Sequence, residues 1–465
     1  MGQTGTVLLL QPLLLLVLSQ LGAAAAASVD ECLGELQQLA QQAGDEQLQQ
    51  VVTRLLQEAP PASLSAETFR HSFETPAAAS SGEATSRGPF TFGTELRFFP
   101  NASALDVLGA ATEVRARAGV GYLMQVESRG AAHLSLYWQA LELRAGHRLW
   151  LGGASRLWRA PAPVAARSGD RRGRPSGALV PSPRVSLVPG PLVTLLFWAP
   201  SPSSRGRSHL RLSSIVHAHF PVLHFGPKSA PPPGQARGFF GNSSGCSVDI
   251  NCPLGSNWQA EKRAVVQILQ KTALCTGTLL NSPNEPFTMP FVLTALHCKE
   301  DGAQVAEWCL VFNYEQNTCA SSSLSNGFSD CIAGLQIAAV NEGYDLLLLQ
   351  LDAEIPKDLE PYFAGWDSTL EPPPRVVTIH HPYGDFKKIS TSDESPTLDS
   401  SFGGGSNSHW IVEKWDHGNT ESGSSGAALF SRGSHRVIGH LQGGDFGTCP
   451  GGPDAFGALV NLGVG

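Results

Sequence analysis

Between Cys32 and Glu58 the apolar positions Leu33, Leu36, Leu39, Leu48, Val51 and Leu55 fall on helical spacing, with a break near Gly44; this predicts a helical segment over 28–60. Residues 61–88 are rich in Pro, Ala, Ser and Thr and predict a linker. From 89 to 225 the apolar period shortens to that of strands, as in LSLYW (134–138), LELRAGHRLWL (141–151) and VTLLFW (193–198), with turn residues between them. That stretch predicts a β-sandwich. GPKSAPPPGQARGFFGNSSG opens a second linker over 226–244, with Lys228 and Arg237 as candidate cleavage points. The remainder, 245–465, also reads as β structure, because helical periodicity is scarce while the chain carries 49 Gly and 33 Pro. At the start, the apolar run Leu8–Leu18 is broken by Gln11 and Pro12 and followed by the small-residue run Ala23–Ala27. Residues 1–27 therefore predict a secretory signal peptide too short to span a bilayer, with no second run of spanning length. A secreted product without a membrane span is the expectation.

Composition adds three points. The 465 residues allow two or three domains, and a net charge of −8 gives no argument for a nucleic-acid partner. Eight of nine cysteines lie between Cys246 and Cys449, which in an exported chain reads as disulfides within one domain; Cys32 is left free, paired elsewhere or removed by processing. No Cys–x–x–Cys pair stands with histidines at ligand spacing, so neither a metal nor another cofactor is expected. Asn101 and Asn242 head glycosylation acceptor triplets. Between Arg144 and Arg211 the only acid is Asp170, and Arg171-Arg172-Gly173-Arg174 reads as a solvated loop, a processing site or a polyanion patch.

Three stretches carry candidate chemistry. FVLTALHC (291–298) places His297 just beyond a short apolar strand, beside a cysteine that can anchor it. NEGYDLLLLQL (341–351) places Asp345 at the mouth of a strand apolar enough to be buried, where a carboxylate needs a partner. GNTESGSSGAALF (418–430) places two serines between Gly423 and Gly426, and the two glycines permit a tight turn. A serine hydroxyl needs a base before it can attack; His297 supplies one and Asp345 would orient it. The backbone N–H groups of Gly423 and Ser425 would face a developing oxyanion. The chain order His, Asp, Ser is that of the chymotrypsin-type double β-barrel of two six-stranded barrels.

These motifs stand with GCSVDINCP, CTGTLL, VFNYEQNTC, FAGWD, IHHPYGDFKKIS, FGGGSNSHW, VIGHLQGG and PDAFG, in that order, and residues 245–460 resemble the secreted lysyl endopeptidases, a branch of the trypsin-like serine proteases. The resemblance implies the triad His297, Asp345 and Ser425, in preference to Ser424. It implies disulfides Cys246–Cys449, Cys252–Cys319 and Cys275–Cys298, leaving Cys309 and Cys331 for a fourth. It implies cleavage after Lys, with Arg as the second candidate, through Asp454 at the pocket base and Gly443 and Gly444 along its edge. The bland alternative for Asp454 is a turn residue after Gly-Gly-Pro.

Departures from the family are expected to matter. Phe402 and Gln442 stand where the family has a tryptophan and a histidine. Ser424 precedes the nucleophile where chymotrypsin-type enzymes carry an aspartate. Gly465 falls soon after the pocket strand, where relatives continue into a C-terminal helix. The upstream β domain resembles, more loosely, the prosegments of such precursors and would act as an intramolecular partner. Protein or peptide substrates are thus the expected partners. The competing expectations are a secreted binding protein that keeps the triad without turnover, and a carbohydrate- or polyanion-binding protein led by the Arg-rich stretch.

Overall fold

The computed structural model describes residues 27–64, 68–73, 90–98, 104–117, 119–144, 146–153, 157–159, 185–200, 208–219, 243–282, 290–299, 304–319, 331–352, 354–399, 407–445, 449 and 451–459. Residues 1–26, Asn101, Arg171–Arg174, Lys228, Arg237, Asn242 and Phe402 lie outside that set. Two compact units result. One comprises Met1–Pro76, Leu96–Ser182 and Val188–His217; the other comprises Ala77–Glu95, Pro183–Leu187 and Ala218–Gly465.

In the first unit, helices α1 (Val29–Ala43) and α2 (Glu46–Glu58) form where the spacing places them. Ser28 and Glu31 close a capping box at the start of α1, and Gly44 ends it in a left-handed conformation (φ 67°). The side chain of Asp45 caps α2 by accepting the Leu48 N–H at 2.9 Å. The helices cover one face of a sheet ordered Phe69–Phe73, Gly119–Ser128, Leu192–Ala199, Arg148–Gly152 and Leu157–Arg159, with Thr112–Ala116 paired to Gly119–Ser128. Strand alternation divides the apolar residues between two cores. Leu123, Trp150, Leu196 and Trp198 pack with Leu33, Leu36 and Leu55 of the helices. Met124, Val126, Leu195 and Phe197 pack with Leu134, Leu136, Leu210 and Leu212. These last four come from a second sheet, on strands His133–Glu142 and His209–Ala218. Cys32 is a free thiol, wholly buried among the helices and 3.5 Å from Thr68 Oγ1. It presents no surface to a partner chain.

Two boundaries differ from expectation. Residues 61–88 are not linker throughout: α3 (Pro61–Leu64) is a helical turn, and Phe69–Phe73 pairs in parallel with Gly119–Ser128. FRHSF is too short to stand out in the sequence, but Phe69 and Phe73 pack against the sandwich core, and cross-strand polar contacts add to this, Arg70 Nε to Gln125 Oε1 at 2.9 Å and Ser72 Oγ to Glu127 Oε2 at 3.0 Å. The β-sandwich also does not begin at 89, because β1 (Phe90–Thr91) belongs to a sheet of the second unit, where backbone pairing outweighs sequence neighbourhood.

The second unit continues with β2 (Val248–Asp249), β3 (Val265–Leu269), β4 (Ala273–Leu280), β5 (Phe291–Ala295), β6 (Cys309–Val311), β7 (Cys331–Ala333), β8 (Leu335–Asn341), β9 (Leu346–Leu351), β10 (Val376–His380), β11 (Lys388–Ser392), β12 (Thr397–Asp399), β13 (His409–Val412), β14 (Ala428–Ser431), β15 (Val437–Gly444) and β16 (Asp454–Ala458). One sheet runs β7-β6-β3-β4-β5-β9-β8 with β1 on β4; the other runs β2-β11-β10-β14-β15-β16-β13-β12. The expected six strands per barrel are thus eight, the surplus coming from edges of two or three residues such as β1, β2, β7 and β12. Leu346, Leu347 and Leu349 of β9 are fully buried in a core shared with Val292, Leu293, Ile379 and Phe430. Four disulfides join Cys246–Cys449, Cys252–Cys319, Cys275–Cys298 and Cys309–Cys331. No helix among the described residues is long and apolar enough to cross a membrane.

Candidate active site

β5 ends at Ala295 and the chain tightens into a 3₁₀ turn over Leu296–Cys298. Cys298 is bonded to Cys275 of β4, so the turn bearing His297 is tied to the strand beside it. Asp345 sits just before β9 in a left-handed conformation (φ 53°), an uncommon position for an aspartate that turns its side chain inward. There it is 7% exposed, and both carboxylate oxygens are used. Oδ2 accepts from His297 Nδ1 at 2.6 Å and Oδ1 accepts from the His297 backbone N–H at 2.8 Å. This two-point clamp fixes both the ring and the backbone of one residue. The Asp345 carbonyl is also held, accepting from Leu296 N–H at 2.7 Å and from His440 Nε2 at 2.9 Å. His440 is wholly buried, and burial lowers its pKa, so it acts as a neutral donor.

The loop 418–426 is pinned to β4 and β5. Thr276 Oγ1 donates to the Gly423 carbonyl at 2.9 Å, and the Thr276 N–H donates to the Ser425 carbonyl at 2.9 Å. Gly423 and Gly426 have φ of 92° and 84°, and a Cβ at Gly426 would lie 2.2 Å from Thr294 Oγ1. Both positions therefore require glycine. The N–H groups of Ser424, Gly426 and Ala427 donate to Glu421, Leu441 and Ser424 carbonyls. Among the described residues, those of Gly423 and Ser425 donate to no backbone carbonyl.

The two adjacent serines have different surroundings. Ser424 is fully buried, accepts the Glu421 N–H at 3.2 Å and lies 2.7 Å from His380 Nδ1. His380 Nε2 is 3.1 Å from Ser390 Oγ, whose proton goes to the Asn419 carbonyl. The Nε2 must then carry the hydrogen and Nδ1 must accept the Ser424 proton. Burial pushes the His380 pKa down to about 3, so the ring stays neutral. Ser424 is thus part of a closed hydrogen-bond network with His380, Ser390 and Asn419. Ser425 shares none of these bonds. Its carbonyl lies 3.9 Å from Cys298 Sγ, next in sequence to His297, whose Nε2 is buried without a hydrogen bond.

Asp454 opens β16 directly opposite Gly444 of β15. It is 1% exposed; Oδ2 accepts from Trp415 Nε1 and from Thr420 Oγ1, each at 2.6 Å, while Oδ1 has no partner. Burial, only partly opposed by those two donors, raises its pKa to about 6. A Cβ on Gly444 would fall 1.9 Å from Oδ1, so glycine there keeps space open over the unpaired oxygen. Gln442 sits at a bulge between Leu441 and Gly443. Beside it is His409 of β13, with Nδ1 2.7 Å from Ser408 Oγ and a pKa lowered to about 4 mainly by burial and by His440. A histidine is therefore present near the position where the family's own was expected missing, but it arrives from another strand. His440, His409, His380 and Thr276 lie in the quoted stretches VIGHLQGG, FGGGSNSHW, IHHPYGDFKKIS and CTGTLL, but sequence reading gave them no role; the groups that His440, His380 and Thr276 bond come from distant parts of the chain.

Two sheets, a His–Asp clamp where they meet and a glycine-flanked serine are the elements of which the trypsin-like serine protease class is built. Residues 240–456 match the family model for the lysyl endopeptidase C-terminal domain. The chain is 30% identical over 222 residues to a lysyl endopeptidase of Pseudomonas aeruginosa, a match covering 44% of this chain and 46% of that protein. It thus spans about half the length of that relative. Among solved structures, a thermostable serine protease, AL20, from an extremophilic microorganism aligns at 16% identity and a TM-score of 0.32, covering 43% of this chain and 92% of its own. A Glu endopeptidase aligns at 16% identity and a TM-score of 0.30, covering 43% and 86%.

Proposed function

We propose that the chain is a secreted serine endopeptidase that cleaves peptide bonds after lysine. The observation that carries this reading is the clamp of His297 by both oxygens of Asp345, at 2.6 and 2.8 Å. It sets the tautomer, with hydrogen on Nδ1, and leaves Nε2 free to take a proton. In the reaction His297 Nε2 accepts the Ser425 hydroxyl proton as Oγ bonds to the substrate carbonyl carbon. The oxyanion is received by the Gly423 and Ser425 N–H groups. The proton passes to the leaving amine, the C–N bond breaks, and water, deprotonated by the same imidazole, releases the acid. The substrate ammonium completes the empty side of Asp454. Its charge also offsets a buried carboxylate that is otherwise costly. Four disulfides and the leader-like start support export. The upstream unit supports a prosegment role through its family resemblance.

One observation favours a second reading, a binding module that keeps the triad without turnover: His297 Nε2 makes no hydrogen bond. Such bonds often tighten only with substrate. A fluorophosphonate probe separates the two. The secreted chain should be labelled, Ser425→Ala should lose the label, and a peptide library should be cut after lysine. An unlabelled but folded chain rules out the enzyme.

A further inference from the structure

We infer that the strand edge Thr272–Leu274 is a docking surface for an extended peptide, and that residues 90–93 of this chain occupy it as an internal competitor of the leaving-group half of a substrate. The inference rests on the protease reading for the name of that half, not for the strand exchange itself.

The geometry is local to the second unit. β1 pairs antiparallel with β4, Thr91 opposite Ala273 and Phe90 opposite Leu274. The Phe92 N–H donates to the Thr272 carbonyl at 2.7 Å and the Gly93 N–H to the same oxygen at 3.3 Å. The segment is fastened further along. The Phe92 carbonyl accepts from His219 N–H at 3.0 Å, and Glu95 pairs with Lys271 at 2.9 Å. Lys271 also reaches Glu307 at 2.9 Å.

That edge adjoins the nucleophile loop. Leu274 Cδ1 lies 2.7 Å from where a Cβ on Gly423 would stand, and two residues later the Thr276 N–H holds the Ser425 carbonyl. β4 therefore approaches Ser425 as it runs from 273 to 276. β1 is antiparallel, so the chain departs from Ser425 as it runs from Phe90 to Phe92. A substrate whose acyl half lies along Gly443–Gly444 would leave Ser425 in this same N-to-C direction on its amine side. Backbone pairing of this kind reads peptide direction and extension with little regard to sequence. The two strands want the same donors and acceptors, so only one can be seated. The polarity is what distinguishes the segment from an ordinary edge cover: a parallel strand here would not imitate a substrate.

The test reads binding apart from turnover. In the full chain carrying Ser425→Ala, anisotropy follows a fluorescein-labelled peptide with one lysine and four residues after it; a peptide ending at that lysine is the control. Phe92→Pro deletes the N–H given to Thr272 and is expected to tighten the extended peptide about tenfold while the control stays within about twofold. Lys271→Gln removes the tether to Glu95 and is expected to move the same ratio about two- to threefold. It decides the matter should Phe92→Pro lose its cooperative unfolding transition. Unchanged extended-peptide affinity in the folded variants overturns the inference, as does tightening of both peptides alike. Hydrolysis is measured separately with Ser425 intact. No turnover alongside the tenfold shift overturns the enzyme and leaves the strand exchange standing.

Discussion

Two buried carboxylates in the second unit are built to opposite ends. At the seam, Asp345 spends both oxygens on His297 and has its carbonyl held by two further donors. At the start of β16, Asp454 spends one oxygen on Trp415 and Thr420 and leaves the other bare beside Gly444. Buried polar atoms are nearly always paired, so an orphan needs an explanation. Asp345 is complete as it stands, which suits a group that orients. Asp454 is incomplete, which suits a group that waits for a cation.

The largest expected effect lies at the complete site. Asp345→Asn keeps the shape but loses the acceptor that fixes the His297 tautomer. The expected fall in kcat is about ten-thousandfold, with little change in KM. Steady-state kinetics on a lysyl nitroanilide measures it, and a loss confined to KM would break the contrast drawn here.

Asp454→Asn should act the other way round. It removes the partner of the substrate ammonium, so kcat/KM for lysine substrates should drop about a hundred- to a thousandfold. Stability should rise. The native carboxyl, with its pKa raised to about 6, holds a proton that the unfolded chain releases near 3.8. Native protons then outnumber unfolded ones between about pH 4 and 6, and stability declines as pH rises through that window. The asparagine variant escapes this decline and should gain about 1–3 kcal/mol at pH 8 but little at pH 4. Chemical denaturation at both pH values measures the difference.

The same titration should mark specificity. Below about pH 6 the free pocket holds a neutral acid and discriminates poorly. The ratio of kcat/KM for a lysyl over an uncharged substrate is expected to fall about tenfold per unit there. Taking the ratio cancels His297, common to both substrates. A ratio flat from pH 5 to 8 would sink the assignment of Asp454 to the pocket.

Sequence spacing made most of this contrast legible. Helical periodicity with a break near Gly44 located α1 and α2, and the motifs around His297 and Asp345 named two residues that the fold brings into contact. What stayed hidden lacked local signal. FRHSF is five residues long and joins a sheet by pairing with a strand 55 residues further along, and β1 is two residues long and recruited by a backbone edge. Residue spacing by itself does not separate Ser424 from Ser425, which only the family resemblance did, and it does not reveal the His380 contact of Ser424 or that one oxygen of Asp454 stays bare.

The smallest effect concerns the histidine that holds the Asp345 carbonyl from behind. His440 reaches across from β15 to the Asp345 carbonyl, but that oxygen keeps the Leu296 N–H at 2.7 Å when the imidazole is removed. His440→Ala therefore should not orphan the carbonyl; it loosens a residue held at positive φ. A three- to tenfold loss in kcat is expected, with lysine KM unchanged and stability lower by about 1–3 kcal/mol. The Asp345 carboxylate still finds His297, so the Asp345→Asn defect should dominate in the double variant, and the two losses should not multiply. Multiplying losses would mean that His440 acts on something other than Asp345, and the seam would then be less self-contained than the pocket.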